Sequence, residues 1–269
     1  MSLSWNWFVH KVLARPYRLN VAFDRGSGPA VVVLHGIGSS GRTWQRLADE
    51  LADTPVRVVA LDLLGHGASP KPTDDWAHYS ARDQARSVLA TLRAQRVRGP
   101  YVVVGHSMGC FVAVEVATLQ PRRVKRLILY EPPFYAGLPA RNLYRLRLRA
   151  YFALFNAVLK TKPDSAGFRR IQKLIARQHD FELTPDNWVP FERSLRNAIM
   201  QQTALEGVKK LTTPTQIIYG TRDNLVINDK KKLFFGETAA HVSSGQIREQ
   251  HTISARAVRA LAALIREDR

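Results

Sequence analysis

The 269-residue sequence predicts an α/β fold: a mostly parallel sheet covered by helices on both faces, with an inserted helical segment. Three observations predict it. Short apolar runs alternate with stretches of helical periodicity, the pattern of a parallel sheet whose strands are joined by helices. The alternation is regular up to Tyr130, reads mostly as helix from Pro132 to Leu211, and resumes at Pro214. Length and balance, with 45% hydrophobic and 23% charged residues, suit one large domain with an insertion.

Strands are read at 30–35 (Ala-Val-Val-Val-Leu-His), 56–62 (Val-Arg-Val-Val-Ala-Leu-Asp), 101–105, 124–130 and 215–220. A weaker strand lies near 241–247 and an earlier one through 17–23. Helices are read near 43–53, 80–96, 108–119, 227–235 and 254–267. In the insertion, Tyr144, Leu148, Tyr151, Phe152, Phe155, Val158 and Leu159 form one helical stripe, and Arg141, Arg145 and Arg149 repeat every four residues on another side. Further helical segments follow near 164–178 and 187–205. An insertion between parallel strands caps the strand ends, where ligands bind in open α/β sheets. The expected division is an N-terminal amphipathic segment (1–16), a core (17–131 and 212–269) and a helical cap (132–211).

Within residues 1–14, Trp5, Phe8, Val9, Val12 and Leu13 make an i, i+3, i+4, i+7, i+8 face. Beside a basic body such a face suits peripheral contact with a membrane surface. A short segment of this kind more often packs on its own domain or on a partner subunit.

Cys110 is the one cysteine, so no intrachain disulfide forms. A buried packing role is expected for it; a reactive thiol at a helix N-terminus is the alternative. No apolar run reaches the ~18 residues that span a bilayer, and Lys11 and Arg15 interrupt any secretory h-region. The expectation is a cytoplasmic protein. The net charge of +18 fits an anionic substrate, nucleic acid or anionic lipid. The basic residues are spread along the whole chain without a nucleic-acid motif, so the expectation is a solvated basic surface and no nucleic-acid partner.

The most informative motif is Gly105-His106-Ser107-Met108-Gly109, which lies between the run Tyr101-Val102-Val103-Val104 and a helical stretch. G-x-S-x-G between strand and helix places a serine on a strained turn with its hydroxyl exposed to a pocket. Glycines on both sides let the backbone pass closely, and the helix N-terminus favours developing negative charge. A Gly-rich turn with a solvated serine is the plainer alternative. No metal is implied: there is no H-E-x-x-H, no C-x-x-C and no His/Asp cluster at ligand spacing. Gly36-Ile37-Gly38-Ser39-Ser40-Gly41 matches the bare dinucleotide string, but the serine motif outweighs it, and no cofactor is expected.

Four blocks, His35-Gly36-Ile37-Gly38, Asp62 to Ser69, the Gly105–Gly109 motif, and Tyr219-Gly220-Thr221-Arg222-Asp223, resemble the α/β-hydrolase family from about residue 17 to 267. The resemblance implies Ser107 as nucleophile, His251 as its base and Asp223 as the acid that orients the base. Backbone N–H groups of Ile37 and Met108 would hold an oxyanion. Among the other histidines, His35, His66 and His106 belong to family blocks where structural hydrogen bonding suits them. His10 and His78 are far from any strand end, His179 lies in the insertion, and His241 is too near Asp223. Glu131, which ends the strand 124–130, rivals Asp223 as the acid.

Serine in place of aspartate argues against haloalkane dehalogenases and epoxide hydrolases. Gly38-Ser39-Ser40-Gly41 departs from the H-G-x-G-P-G of many carbon–carbon-bond hydrolases. Those hydrolases, lactonases, thioesterases, haloperoxidase-like members and lyases stay open. The expected function is a serine hydrolase that cleaves a small or medium carboxylic ester through an acyl-enzyme. A non-catalytic small-molecule receptor is the alternative from another class. Phe134, Tyr135, Tyr151 and Phe152 are either pocket walls or the insertion's own core.

Overall fold

The computed structural model describes residues 5–134, 142–163, 165–175, 181–223 and 239–267, with the main chain alone at 142–148 and 174–175. The strands are β1 (Val21–Gly26), β2 (Ala30–Leu34), β3 (Arg57–Leu61), β4 (Tyr101–His106), β5 (Val124–Tyr130), β6 (Thr215–Gly220) and β7 (Val242–Ile247). They form one sheet in the order β1-β3-β2-β4-β5-β6-β7. β1 runs antiparallel to β3, and every other pairing is parallel. The helices are α1 (Gln45–Glu50), α2 (Ala81–Ala94), α3 (Met108–Leu119), α4 (Asn142–Leu159), α5 (Ala166–Ile175), α6 (Trp188–Ser194), α7 (Ala204–Lys210) and α8 (Ala255–Arg266).

The two-residue period of the strands sorts their side chains onto two faces. Val32, Leu34, Val59, Leu61, Val103, Leu127 and Leu129 pack with Val88 and Leu92 of α2, Phe111 and Val112 of α3, and Trp188 and Leu205 of the insertion. Val31, Val33, Val58, Ala60, Val102, Val104 and Ile128 pack with Leu47 of α1 and Val258 and Leu261 of α8. Both faces are covered, which is why the central strands are apolar without interruption. Each fully buried valine contributes about 1.5–3 kcal/mol.

Helix starts follow local chemistry. Ser80 and Asp83 form a capping box at α2. The Ser254 hydroxyl accepts from the Ala257 N–H at α8.

Several elements differ from the sequence expectation. The strand read at 17–23 begins at Val21 because the Leu19 and Asn20 N–H groups donate to Thr91 Oγ1 and Ser69 Oγ, each at 2.8 Å. The helix read at 43–53 is a short 3-10 turn, Gly41–Trp44, followed by α1; Asp62 Oδ1 accepts the Gly41 N–H at 2.7 Å and fixes where the turn starts. The segment read at 187–205 breaks into α6, a π-helical stretch Leu195–Met200, and α7. At the break, Gln202 Nε2 donates to the Pro133 carbonyl at 2.9 Å. α5 starts at Ala166, with Ser165 Oγ accepting the Phe168 N–H. The helix read at 227–235, together with Tyr135, Arg141 and His179, lies outside the described residues.

The N-terminal segment also departs from its expected period. Trp7–Val12 is a π-helix, in which the Leu13 N–H reaches back to the Phe8 carbonyl. Trp5, Phe8, Val12 and Leu13 stay exposed. The segment meets the domain through His10 stacked on Tyr17 and Lys11 over the Trp76 ring. No helix among the described residues is long and apolar enough to cross a membrane.

Candidate active site

The site forms where β2, β4, β5 and β6 end. Ser107 links β4 to α3 with φ 53° and ψ −121°, a conformation that costs an L-residue about 1–3 kcal/mol. The surroundings enforce it. The Ser107 N–H donates to the Tyr130 carbonyl at 3.1 Å, and the Ser107 carbonyl accepts from the Cys110 N–H at 3.0 Å. A Cβ at Gly105 would stand 2.6 Å from the Gly109 carbonyl oxygen, and one at Gly109 would stand 2.4 Å from that of Leu34. No larger residue fits without moving backbone.

His251, beyond β7, reaches Ser107 from the far end of the sequence. Its Nε2 lies 2.8 Å from Ser107 Oγ, and its Nδ1 lies 2.6 Å from Asp223 Oδ2. The carboxylate selects the tautomer with hydrogen on Nδ1, which leaves Nε2 to accept the serine proton. Asp223 is buried and follows β6. The structure therefore brings Ser107, His251 and Asp223 together in one line of hydrogen bonds. Glu131, the rival acid, follows the adjacent strand β5 and is fully buried, within 4.8 Å of Asp223 and His251.

The loop after β2 lies against the serine: a Cβ on Gly36 would stand 3.2 Å from Ser107 Cβ. His35 holds this loop. Its Nδ1–H donates to the Gly36 carbonyl at 2.7 Å, while its Nε2 accepts the Leu63 N–H at 2.9 Å. A trans peptide points its C=O and N–H in opposite directions. Anchoring the Gly36 carbonyl therefore fixes the direction of the Ile37 N–H. Ile37 is half-buried, and Met108, buried, opens α3. Burial keeps His35 and His66 neutral, pushed down to about 4 and about 3, and holds His106 well below its ordinary value. His66 Nδ1 contacts the Leu64 carbonyl, and His241 Nε2 contacts that of Val208. His10 Nδ1 contacts the Arg15 carbonyl at 2.7 Å, and His78 is exposed.

Cys110 is sealed beneath the turn, its thiol directed at the Gly105 and Tyr130 carbonyls, and burial raises its pKa. That arrangement fits packing and disfavours a thiolate. Glu131, Asp223 and His251 offer three ligand atoms within 4.8 Å of one another. Both His251 ring nitrogens are already engaged by Asp223 and Ser107, so the trio presents no open nitrogen to a metal.

One contact had no signal in the sequence. Phe181 of the insertion lies over Gly38, where a Cβ would fall 2.4 Å from the ring, and the Glu182 N–H donates to the Gly38 carbonyl at 2.6 Å. Gly38 has φ +71°, which admits glycine readily. Of the expected pocket walls, Phe134 is core, packed on Phe111; Tyr151 and Phe152 are half-buried and pack around Phe155.

A seven-stranded, mostly parallel sheet with a serine on the turn between its fourth-placed strand, β4, and α3 defines an α/β hydrolase architecture. The model of the alpha/beta hydrolase family matches residues 31–264, and the chain belongs to that family. It is 45% identical over 107 residues to Lipase LipV of Mycobacterium tuberculosis, which covers 39% of this chain and 38% of that protein. The chain thus spans less than two fifths of the lipase's length. It is 28% identical over 219 residues to 2-(acetamidomethylene)succinate hydrolase of Mesorhizobium japonicum, covering 77% and 76% of the two chains. A thermophilic esterase from Thermogutta terrifontis superimposes with a TM-score of 0.67 at 19% identity, covering 93% of this chain and 94% of that one. That likeness is one of fold.

Proposed function

We propose that the chain is a serine hydrolase that cleaves a small or medium carboxylic ester through an acyl-enzyme. The observation that carries this reading is the connected geometry of Ser107, His251 and Asp223 on a strained strand-to-helix turn. The lipase, hydrolase and esterase names of the similar proteins support it.

In this reading His251 Nε2 takes the Ser107 proton as Oγ attacks the acyl carbonyl. Asp223 stabilises the resulting imidazolium without itself becoming protonated. The oxyanion forms against the Met108 and Ile37 N–H groups and the positive end of α3; one such donor is worth about 10²–10³ in kcat. The alcohol departs with the proton from His251, and water repeats the sequence on the acyl-enzyme. The insertion 132–211 acts as a cap over this centre, with Phe181 at its inner surface.

The test uses the intact protein with p-nitrophenyl esters of graded chain length, and lactones and thioesters alongside. A fluorophosphonate probe reports whether Ser107 is activated. Ester turnover and labelling that both vanish in Ser107→Ala support the reading. Folded protein that neither labels nor turns over any of these substrates points to a non-catalytic receptor.

A further inference from the structure

Glu131 is a buried carboxyl group that the reaction above does not use. It follows the last residue of β5 with φ +54°, a conformation uncommon for a residue other than glycine. Its N–H donates to the Ile218 carbonyl at 2.9 Å, which ties it to β6. The side chain is fully buried, and neither oxygen makes a hydrogen bond of ordinary geometry among the described residues. Gly220 leaves room for it: a Cβ there would fall 2.1 Å from Glu131 Oε1. The titratable groups that act on it or are acted on by it are Asp223 after β6, Glu249 after β7, Cys110 on α3 and Tyr130 beside it in the chain. His251 completes the cluster at the Asp223 side.

Two carboxyl groups this close in a sealed site do not both ionise. Asp223 already accepts the His251 Nδ1–H on Oδ2, so it carries the charge. Glu131 must then keep its proton. Burial first, and the Asp223 carboxylate second, push its pKa up to about 10, against an opposing contact with the Gly220 main chain.

We propose that Glu131 is a positioning residue: as a neutral acid it donates its proton towards the Asp223 oxygen not used by His251, and so holds Asp223 charged and aimed. No proton leaves Glu131 during turnover; it is a fixed donor to the acid. This rests on the reading of Asp223 and His251 as acid and base. It also explains how two acids share the site, with one serving the histidine and the other serving the first acid.

The test separates this idea from the hydrolase reading because one arm needs no activity. Infrared difference spectra of wild type against Glu131→Gln at about pH 8 read the protonation state directly. The expected result is a protonated-carboxyl band in the wild type that the variant lacks. Absence of that band overturns the proposal whether or not the protein hydrolyses anything. The second arm is the acidic limb of the kcat/KM profile, which reports the base in the free protein. Glu131→Gln removes no charge if Glu131 is neutral, so that limb stays in place. A fall of about one unit in the limb means that an anion was removed, and sinks the proposal. The third arm is rescue. Glu131→Leu, which removes the Glu131 donor, is expected to lose about 10–100-fold in kcat, and Glu131→Gln, which offers an N–H, to recover most of that loss. Equal losses in two folded variants reject a donor role.

Discussion

Ser107 Oγ and His251 Nε2 lie 2.8 Å apart although 144 residues separate them. The serine waits on a strained turn, and the imidazole arrives from the loop beyond the last strand, so neither group gains its position from the other. Ser107→Ala is therefore expected to leave the fold intact while kcat falls by about 10⁴–10⁶. Turnover of a p-nitrophenyl ester by the folded variant, measured beside its circular dichroism, checks this. Substantial residual hydrolysis dismisses Ser107 as nucleophile.

Asp223→Asn is expected to cost about 10⁴ in kcat, because an amide there favours the wrong histidine tautomer. Glu131→Gln is expected to cost far less, since of the two carboxyl groups it is Asp223 that meets the His251 Nδ1, at 2.6 Å. Steady-state kinetics of the two variants settle the order; the reverse order would make Glu131 the acid.

Stability should carry a pH signature of Glu131. Its folded pKa, about 10, stands above the ordinary 4.5. A group raised in this way contributes fully below the unfolded value and loses that contribution as pH rises towards the folded value. The slope is about 1.4 kcal/mol per pH unit and is an upper limit. His35 and His66 work the other way: their lowered pKa values place their loss below about 6.5, towards 4 and 3. Both histidines are present in wild type and in Glu131→Gln, so they cancel in the comparison. The Tm of Glu131→Gln minus that of wild type should widen from about pH 5 to about pH 9. A constant difference across that range excludes a neutral Glu131.

The segment 132–211 holds 14 basic and 6 acidic residues, a net of +8. If that charge focuses anionic esters into the mouth, kcat/KM for an anionic ester should fall with salt as screening shortens to about 8 Å. A neutral analogue of the same chain length should barely change. Identical salt profiles leave the charge as surface chemistry alone.

The sheet was legible because its strands are apolar runs with turns between them, and β5, β6 and α3 begin and end where their residues place them. Ser107 was legible from the glycines that its turn demands. Element edges were harder, because Thr91 and Ser69, far along the chain, take the N–H groups that would have lengthened β1. The proximity of Glu131 and Asp223 was present in the pattern: both follow strand ends, and those strands are neighbours in a parallel sheet. Reading them as rivals hid that they could be partners. Phe181 over Gly38 left no trace, since nothing local to either residue encodes a contact between an irregular stretch of the insertion and a loop 143 residues earlier.

The bond from Glu182 N–H to the Gly38 carbonyl ties the insertion to the loop beside the serine. Under the proposed hydrolase reading, selectivity and rate are then not separate modules. Exchanging the insertion for that of another family member would also remove the Glu182 N–H and the Phe181 ring that meet Gly38. A chimaera of this kind should lose chemical speed along with its old preference, and recover it only when the graft supplies its own donor and its own aromatic weight at that point.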